Sequence, residues 1–186
     1  MRHLGAALLF CLAVIIPLEA KGQRSAYLYV AGGINEPVDR LGSRVETGYG
    51  GSLTLSHAPR SLSSEGAIEF VLRGRYDIFK ADADNDRDFD FASVGLGVKF
   101  NFDPGEQTNY YLLLEAGPTF TRWKDFTAGN SVIPGKTTTN YHVSPGLGVE
   151  FVRRHATPFT EIRLTNVAGE LIGDYFYFSA SFGVKF

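Results

Sequence analysis

Apolar and polar side chains alternate with a period of two in eight successive segments of this chain, and few architectures can satisfy that pattern. From Glu69 to Ile78, Phe70, Leu72, Tyr76 and Ile78 share one parity with Gly74, while Glu69, Val71, Arg73, Arg75 and Asp77 share the other. Successive side chains of a strand point to opposite faces, so this segment reads as a strand with one apolar and one charged face. Segments 90–102, 110–121 and 138–152 repeat the arrangement, and the last two exceed an ordinary globular strand in length. Phe176, Phe178, Ala180, Phe182, Val184 and Phe186 carry it to the final residue, opposed by Ser179, Ser181, Gly183 and Lys185. Weaker strands fit at 26–33, 48–57 and 158–167, which brings the count to eight.

The connections carry further information. Longer polar stretches, Ile34 to Glu46, Lys80 to Phe89, Arg122 to Lys136 and Asn166 to Gly173, follow strands one, three, five and seven. Ala58 to Gly66, Asp103 to Asn109 and Arg153 to Thr157 follow strands two, four and six and are shorter on average. Long and short links therefore alternate, as in an antiparallel meander whose two rims face different surroundings.

Residues 1–22 read as an export signal, with Arg2 and His3 ahead of the apolar stretch Leu4 to Pro17, which is too short to span a bilayer as a helix. Cleavage after Ala20 or after Gly22 removes the single cysteine, Cys11, and leaves 23–186 as one β domain without thiols. The remaining composition points the same way. A 44% hydrophobic share argues against disorder, and 13% aromatic residues suit sheet surfaces. A net charge of −2 gives no electrostatic footprint for nucleic acid.

A soluble antiparallel protein buries its apolar parity. Eight faces of Phe, Tyr, Leu and Val would overfill one small barrel, whereas the Gly-, Ser- and Thr-rich parity suits a confined interior. The expectation is therefore an apolar face turned outward into lipid. The charges on the inner parity fit that placement. Glu69, Asp77, Glu115, Glu150 and Glu161 stand against Arg73, Arg75, Lys99, Arg163 and Lys185, five acids and five bases, as a closed lumen requires. Aromatic residues near the strand ends, namely Tyr76, Phe79, Phe89, Phe91, Phe100, Phe102, Tyr110, Tyr111, Trp123, Phe151, Phe159 and Tyr175, are expected to form interfacial girdles.

With its export signal, eight alternating segments and a terminal strand closing on Phe, the sequence resembles the small eight-stranded outer-membrane β-barrels of Gram-negative bacteria, the group of the OmpA transmembrane domain and OmpX. The resemblance implies an all-β, eight-stranded antiparallel up-and-down transmembrane barrel, monomeric, with both ends in the periplasm and four loops outside. It also implies that Phe182, Val184 and Phe186 form the signal read by the outer-membrane assembly machinery. Outer-membrane lipid and lipopolysaccharide would be its surroundings. The role expected is structural or adhesive, with no enzyme activity and no cofactor or metal.

Three sets of residues invite chemistry. Asp82, Asp84, Asp86 and Asp88 alternate as in a calcium loop, but Arg87 and Ser93 stand where the turn Gly and bidentate Glu belong, so a solvated outer loop is the reading taken. His142 and Ser144 share a face with Glu150, and Glu161 lies on the next strand. Barrel lipid A deacylases use such a set, which keeps a lipid-modifying hydrolase as one alternative; a secreted lipocalin-like barrel with the apolar parity inward is the other. His57 and His155 belong to no metal-ligand cluster. Gly95-x-Gly97 and Gly146-x-Gly148 have no helix after them and read as places where a crowded interior admits no side chain. Pro118 and Pro145 each lack a ladder donor and are expected at bulges or exposed barrel ends.

Overall fold

The computed structural model describes residues 26–38, 42, 45–59, 67–81, 88–104, 106–128, 131–153, 156–168 and 174–186. The expected signal segment, Asp82, Asp84, Asp86 and His155 lie outside the described residues. The strands are β1 (Ala26–Val38), β2 (Gly48–His57), β3 (Ile68–Phe79), β4 (Phe89–Asn101), β5 (Thr108–Trp123), β6 (Phe126–Ala128), β7 (Ser131–Ile133), β8 (Lys136–Phe151), β9 (Thr157–Ala168) and β10 (Tyr175–Lys185). Eight of them close a barrel in the order β1-β10-β9-β8-β5-β4-β3-β2, every neighbour antiparallel. Consecutive barrel strands are thus adjacent in space, an up-and-down meander. β6 and β7 form a separate hairpin within the link between β5 and β8.

Closure runs through β1 and β10, where Tyr29 pairs with Lys185 and Gly32 with Phe182. Phe186 N donates to Leu28 O at 2.8 Å, so the terminal residue is part of the seam. A closed ladder leaves no edge with unpaired N–H and C=O groups, the condition that a strand-built membrane span must meet.

The parity argument is answered by exposure. Phe70 is 47% exposed, Leu96 68% and Phe182 62%, while Glu69, Lys99, Glu115, Glu150, Glu161 and Arg163 are each 2–3% exposed. The apolar faces therefore point outward and the charged faces inward, which excludes a lipocalin-like barrel with its greasy parity inside.

Three expectations need correcting. β1 continues to Val38 rather than ending at residue 33: its alternation persists with Ile34 outward and Asn35 inward, and its pairing with β10 extends to Val38. Pro37 is accommodated there because pairing with β2 ends at Asn35, so the strand has a free edge. Pro118 and Pro145 occupy no bulge and no barrel end. Pairing of β4 with β5 lapses between Ser93–Thr119 and Leu96–Ala116, and that of β8 with β9 between Val143–Asn166 and Gly146–Arg163, with the register the same on both sides of each gap. Each Pro thus removes local ladder bonds without shifting any side chain to the other face.

The third correction concerns the aromatic girdle. Tyr76, Phe100, Phe102, Tyr110 and Phe151 do lie outward, but Phe79, Phe89, Phe91, Tyr111, Phe159 and Tyr175 are buried inside. They fall on the inner parity, which sets their side of the wall whatever their nearness to strand ends. Phe79, Phe89, Phe91, Tyr175 and Tyr177 join Val45 and Val167 in one cluster at the long-link rim, with Trp123 packed against it. Phe79 stacks on Phe89 at 5.3 Å between centroids, and Phe91 on Tyr177 at 5.8 Å. Val45 reaches the cluster from the link after β1, held by its bridge to Ala81.

Candidate functional site

Below the aromatic cluster the interior is mainly polar, apart from a second, smaller apolar cluster of Val71, Tyr111 and Leu113, and the inward polar residues of facing strands meet there in three groups. The ten charged positions singled out above all take part.

At the rim of the short links, Glu69 on β3 and Glu150 on β8 face Lys99 on β4 and Lys185 on β10. Lys99 Nζ lies 3.3 Å from Glu69 Oε1 and pairs closely with Glu150 Oε1. Lys185 Nζ bridges the same two carboxylates at 3.3 and 3.2 Å. Tyr29 supplies a hydroxyl 2.9 Å from Glu69 and 3.1 Å from Glu150, and accepts from Lys99 Nζ at 2.9 Å. Asn101 and Ser56 donate to Glu69 at 3.0 and 2.7 Å, and Asn109 to Glu150 at 3.2 Å. Lys99 also sits 4.5 Å over the Tyr111 ring.

In the middle, Arg73 on β3 forms a fork on Glu161 of β9, Nη1 to Oε1 at 2.7 Å and Nη2 to Oε2 at 3.1 Å, and its Nε donates to Thr54 at 2.8 Å. Arg163 lies 3.4 Å from Glu115 and 3.5 Å from Glu161. Tyr111 donates to Glu161 at 3.1 Å. Nearer the aromatic cluster, Arg75 Nε pairs with Asp77 at 2.6 Å, its Nη2 donates to Ser179 at 2.7 Å and to Asn35, and Tyr177 donates to Asp77 at 3.1 Å.

Each acid in these groups thus meets at least one cation, and most carboxylate oxygens accept a further hydrogen bond. That pairing is obligatory at this depth, because an unpaired buried ion costs several kcal/mol. The strands make room for it with glycine. A Cβ on Gly95 would strike the Glu115 carboxyl group, and one on Gly148 would run into the Tyr111 ring, 2.6 Å from Cε1. Both glycines are therefore gaps into which an inward side chain from a neighbouring strand folds.

His142 and Ser144 are engaged with different partners in the lumen. His142 Nδ1 is 2.9 Å from Thr119 Oγ1 and its Nε2 is 3.3 Å from Glu115, while Ser144 Oγ donates to Thr165 Oγ1 at 2.9 Å. The two are 3% and 1% exposed on the lumenal side, and the Ser144 hydroxyl is hydrogen-bonded to Thr165 rather than to His142. Among the described residues no group of His, Cys, Asp and Glu has the arrangement of a metal site. Asp88, the described member of the aspartate series, accepts from Ala81 N at 3.0 Å and pairs with Lys124 at 3.5 Å.

Tyr29, Asn101, Asn109, Asn35 and Ser179 carry no expected role in the lumenal network on the sequence alone, and Tyr111, expected in the girdle, joins that network instead. Inner parity was the available signal, and it applies to neutral donors as much as to ions.

No protein-family model matches the chain, and no curated protein matches it. Solved structures do. Neisserial surface protein A superposes with a TM-score of 0.67 at 15% identity, over 89% of this chain and 98% of that one. The fold is that of a small outer-membrane β-barrel. Ail, the attachment invasion locus protein of Yersinia pestis, matches at 0.51 with 14% identity over 88% of this chain and 100% of its own. The outer membrane enzyme PagL matches at 0.50 with 16% identity over 86% and 97%. Surface proteins and an enzyme share this architecture, so activity has to be argued from the side chains.

Proposed function

We propose that the protein is a monomeric integral outer-membrane barrel, exported on a cleaved signal within residues 1–22, whose lumen is plugged and whose role is structural or adhesive rather than enzymatic. The observation that carries this reading is the pairing of an outward apolar surface with an inward, internally neutralised ion network. Leu28, Leu53, Phe70, Leu96, Leu114, Leu147, Ile162 and Phe182, from eight different strands, are all more than a third exposed. In water such a surface would be an aggregation liability, whereas in hydrocarbon it is the matching face. The barrel strands run from 10 to 16 residues, enough for a tilted crossing of a bilayer core.

The lumen suits a plug. Side chains from facing strands meet across it at hydrogen-bond distance, and eight strands leave an interior that side chains can fill. The aromatic cluster adds an apolar seal at the long-link rim. Those links, with the β6–β7 hairpin, form the surface offered to the exterior. Arg122, Lys124 and Lys136 at that rim are suited to the phosphates of lipopolysaccharide. Phe182 and Val184 on β10, and Phe186 just after it, lie along the closing seam, where an assembly factor would engage the last strand before closure.

The test is fractionation and gel mobility. The protein is expected to extract with outer membranes and to migrate differently before and after boiling; recovery as a detergent-free soluble monomer overturns the proposal. Deletion of the gene is expected to leave lipid A acyl chains unchanged, and an altered acyl pattern would move the assignment to the hydrolase class.

A further inference from the structure

A cleft of about 460 Å³ opens at the long-link rim, between residues 122–125 at the end of β5 and 135–137 at the start of β8, where the barrel wall passes into the β6–β7 hairpin. That volume falls within the range of sites for small molecules. Asp125 and Gly135 fix the backbone there. Gly135 N donates to Asp125 Oδ1 at 2.6 Å, and a Cβ on Gly135 would strike Trp123 O, so a larger residue could not approach so closely.

Two cations of the cleft are uncommitted. Arg122 and Lys136 are exposed and form no ion pair among the described residues. Lys124, by contrast, lies 3.5 Å from Asp88 and 3.8 Å from Asp90, and Tyr76 donates to Asp90 at 2.8 Å. Neither of those acids lines the cleft, and Asp125, which does, has one oxygen on Gly135 N. Trp123 packs on Phe89 at 5.0 Å between centroids and stays half-buried beside the cleft.

The height of the cleft narrows what it can meet. Arg122 stands opposite Asp90 in the pairing of β4 with β5, and Asp90 is six positions before Leu96 at the middle of β4. At about 3.3 Å per residue and a tilt of about 40°, Arg122 lies roughly 15 Å from Leu96 along the bilayer normal, where hydrocarbon gives way to head groups. Arg122 shares its outward parity with Phe120, and Thr137 shares its own with Tyr141; both rings are exposed. An apolar track therefore leads down the wall from a cationic cleft.

We infer that the cleft seats the phosphorylated sugar head group of one outer-leaflet glycolipid, with phosphate oxygens on Arg122 and Lys136 and an acyl chain along Phe120 and Tyr141. The inference rests on the outer-membrane reading above and deepens it by naming the seat. A phosphate supplies acceptors to both free cations at once. The indole of Trp123 offers an apolar wall to the face of a sugar ring, and the second oxygen of Asp125 can accept from a sugar hydroxyl. A soluble anionic sugar would use the cations but would leave the apolar track below them empty.

The experiment uses the intact protein refolded into phosphatidylcholine nanodiscs that carry increasing fractions of diphosphoryl lipid A or of dephosphorylated lipid A. Trp123 is the single tryptophan, so its emission reports on the cleft. A saturable change is expected with diphosphoryl lipid A and none with the dephosphorylated form. Arg122→Gln and Lys136→Gln are each expected to raise the half-saturating fraction about fivefold. Arg153→Gln, which removes an exposed cation from the opposite rim, is expected to leave it unchanged. Boiling-dependent gel mobility checks that each variant is folded. An equal response to both lipids, no response, or an equal loss in Arg153→Gln overturns the seat. So does a glucosamine phosphate in solution that produces the same change at comparable concentration, because the site would then take the free anion. A protein that inserts but ignores lipid A loses this site alone, whereas one that fails to insert overturns the outer-membrane reading and the site with it.

Discussion

Replacing Leu96 with Arg tests whether hydrocarbon bathes the outward face. Leu96 lies near the centre of β4, is 68% exposed, and pairs with Leu72 on β3 and Ala116 on β5, so the new side chain meets no acid on the strands beside it. Phe102, six positions on and 62% exposed, is the matched control at the rim of the short links. At about 3.3 Å per residue those six positions span roughly 20 Å along the strand, and a tilt of about 40° reduces this to roughly 15 Å along the bilayer normal. That is about half the hydrocarbon thickness, which places Leu96 near the midplane and Phe102 near an interface. An Arg at the midplane of a barrel's lipid face costs about 2–4 kcal/mol, and near the interface about 0–1. Urea titration of folding into phospholipid vesicles, followed by the fluorescence of Trp123, the single tryptophan, measures both. With a slope near 2 kcal/mol per molar urea, Leu96→Arg is expected to lower the midpoint by roughly 1–2 M and Phe102→Arg by less than about 0.5 M. In water both would be surface changes worth within about 0.5 kcal/mol. Equal midpoints for the two variants, or a larger loss at Phe102, would refute the reasoning.

Four further outcomes follow from the lumen. Glu161→Gln removes the charge and one of the two acceptor oxygens of the Arg73 fork and is expected to destabilise folding by about 3–5 kcal/mol, and Arg73→Met in the same chain should recover part of it; a double-mutant cycle with no coupling counts against the pairing. Phe91→Ala empties a fully buried position in the aromatic cluster, with an expected loss of about 3–5 kcal/mol by vesicle refolding, and a loss below 1 would place that ring elsewhere. Gly95→Ala, which sets a methyl group against the Glu115 carboxyl, is expected to cost about 1–3 kcal/mol, and Glu115→Ala should remove most of that penalty when the two stabilities are compared against Glu115→Ala alone. Spin labels at Leu96 and Lys99 are expected to differ in collisions with dissolved oxygen, high at the first and low at the second; equal values would contradict the inward position of Lys99.

Much of this architecture could be read from residue order, because a period of two assigns every side chain to a face and a single buried interior then has to choose between the faces. Glu69, Arg73, Arg75 and Asp77 on one strand can only be inward if Phe70, Leu72 and Tyr76 are outward, and the balance of acids and bases favours that choice. Which cation meets which acid was not legible. Arg73 forks onto Glu161, 88 positions away, and that contact depends on shear and strand tilt around the closed ladder, quantities that a linear pattern does not carry. The end of β1 is not legible for a different reason: Glu36 and Pro37 have the composition of a loop, but a strand with one free edge tolerates both.

The misplaced girdle shows how two rules compete. Phe79, Phe89, Phe91 and Tyr175 are subject to both the preference of aromatic rings for interfaces and the parity that turns them inward, and parity prevails because it is geometric whereas the interfacial preference is only energetic. A strand cannot turn one residue to the other face without a bulge, and the register here contains none at these positions. Sequence therefore holds a usable criterion: an aromatic residue near a strand end belongs to the girdle only when it shares parity with the outward Leu and Val of the same strand. Tyr76 and Phe100 satisfy that criterion and are exposed, whereas Phe79 and Phe91 fail it and are fully buried. The inward rings then gain a role that a girdle could not give them. A cluster of apolar rings over an ion network withholds water from the lumen at the long-link rim, which strengthens the pairs beneath it and makes each of them more costly to break.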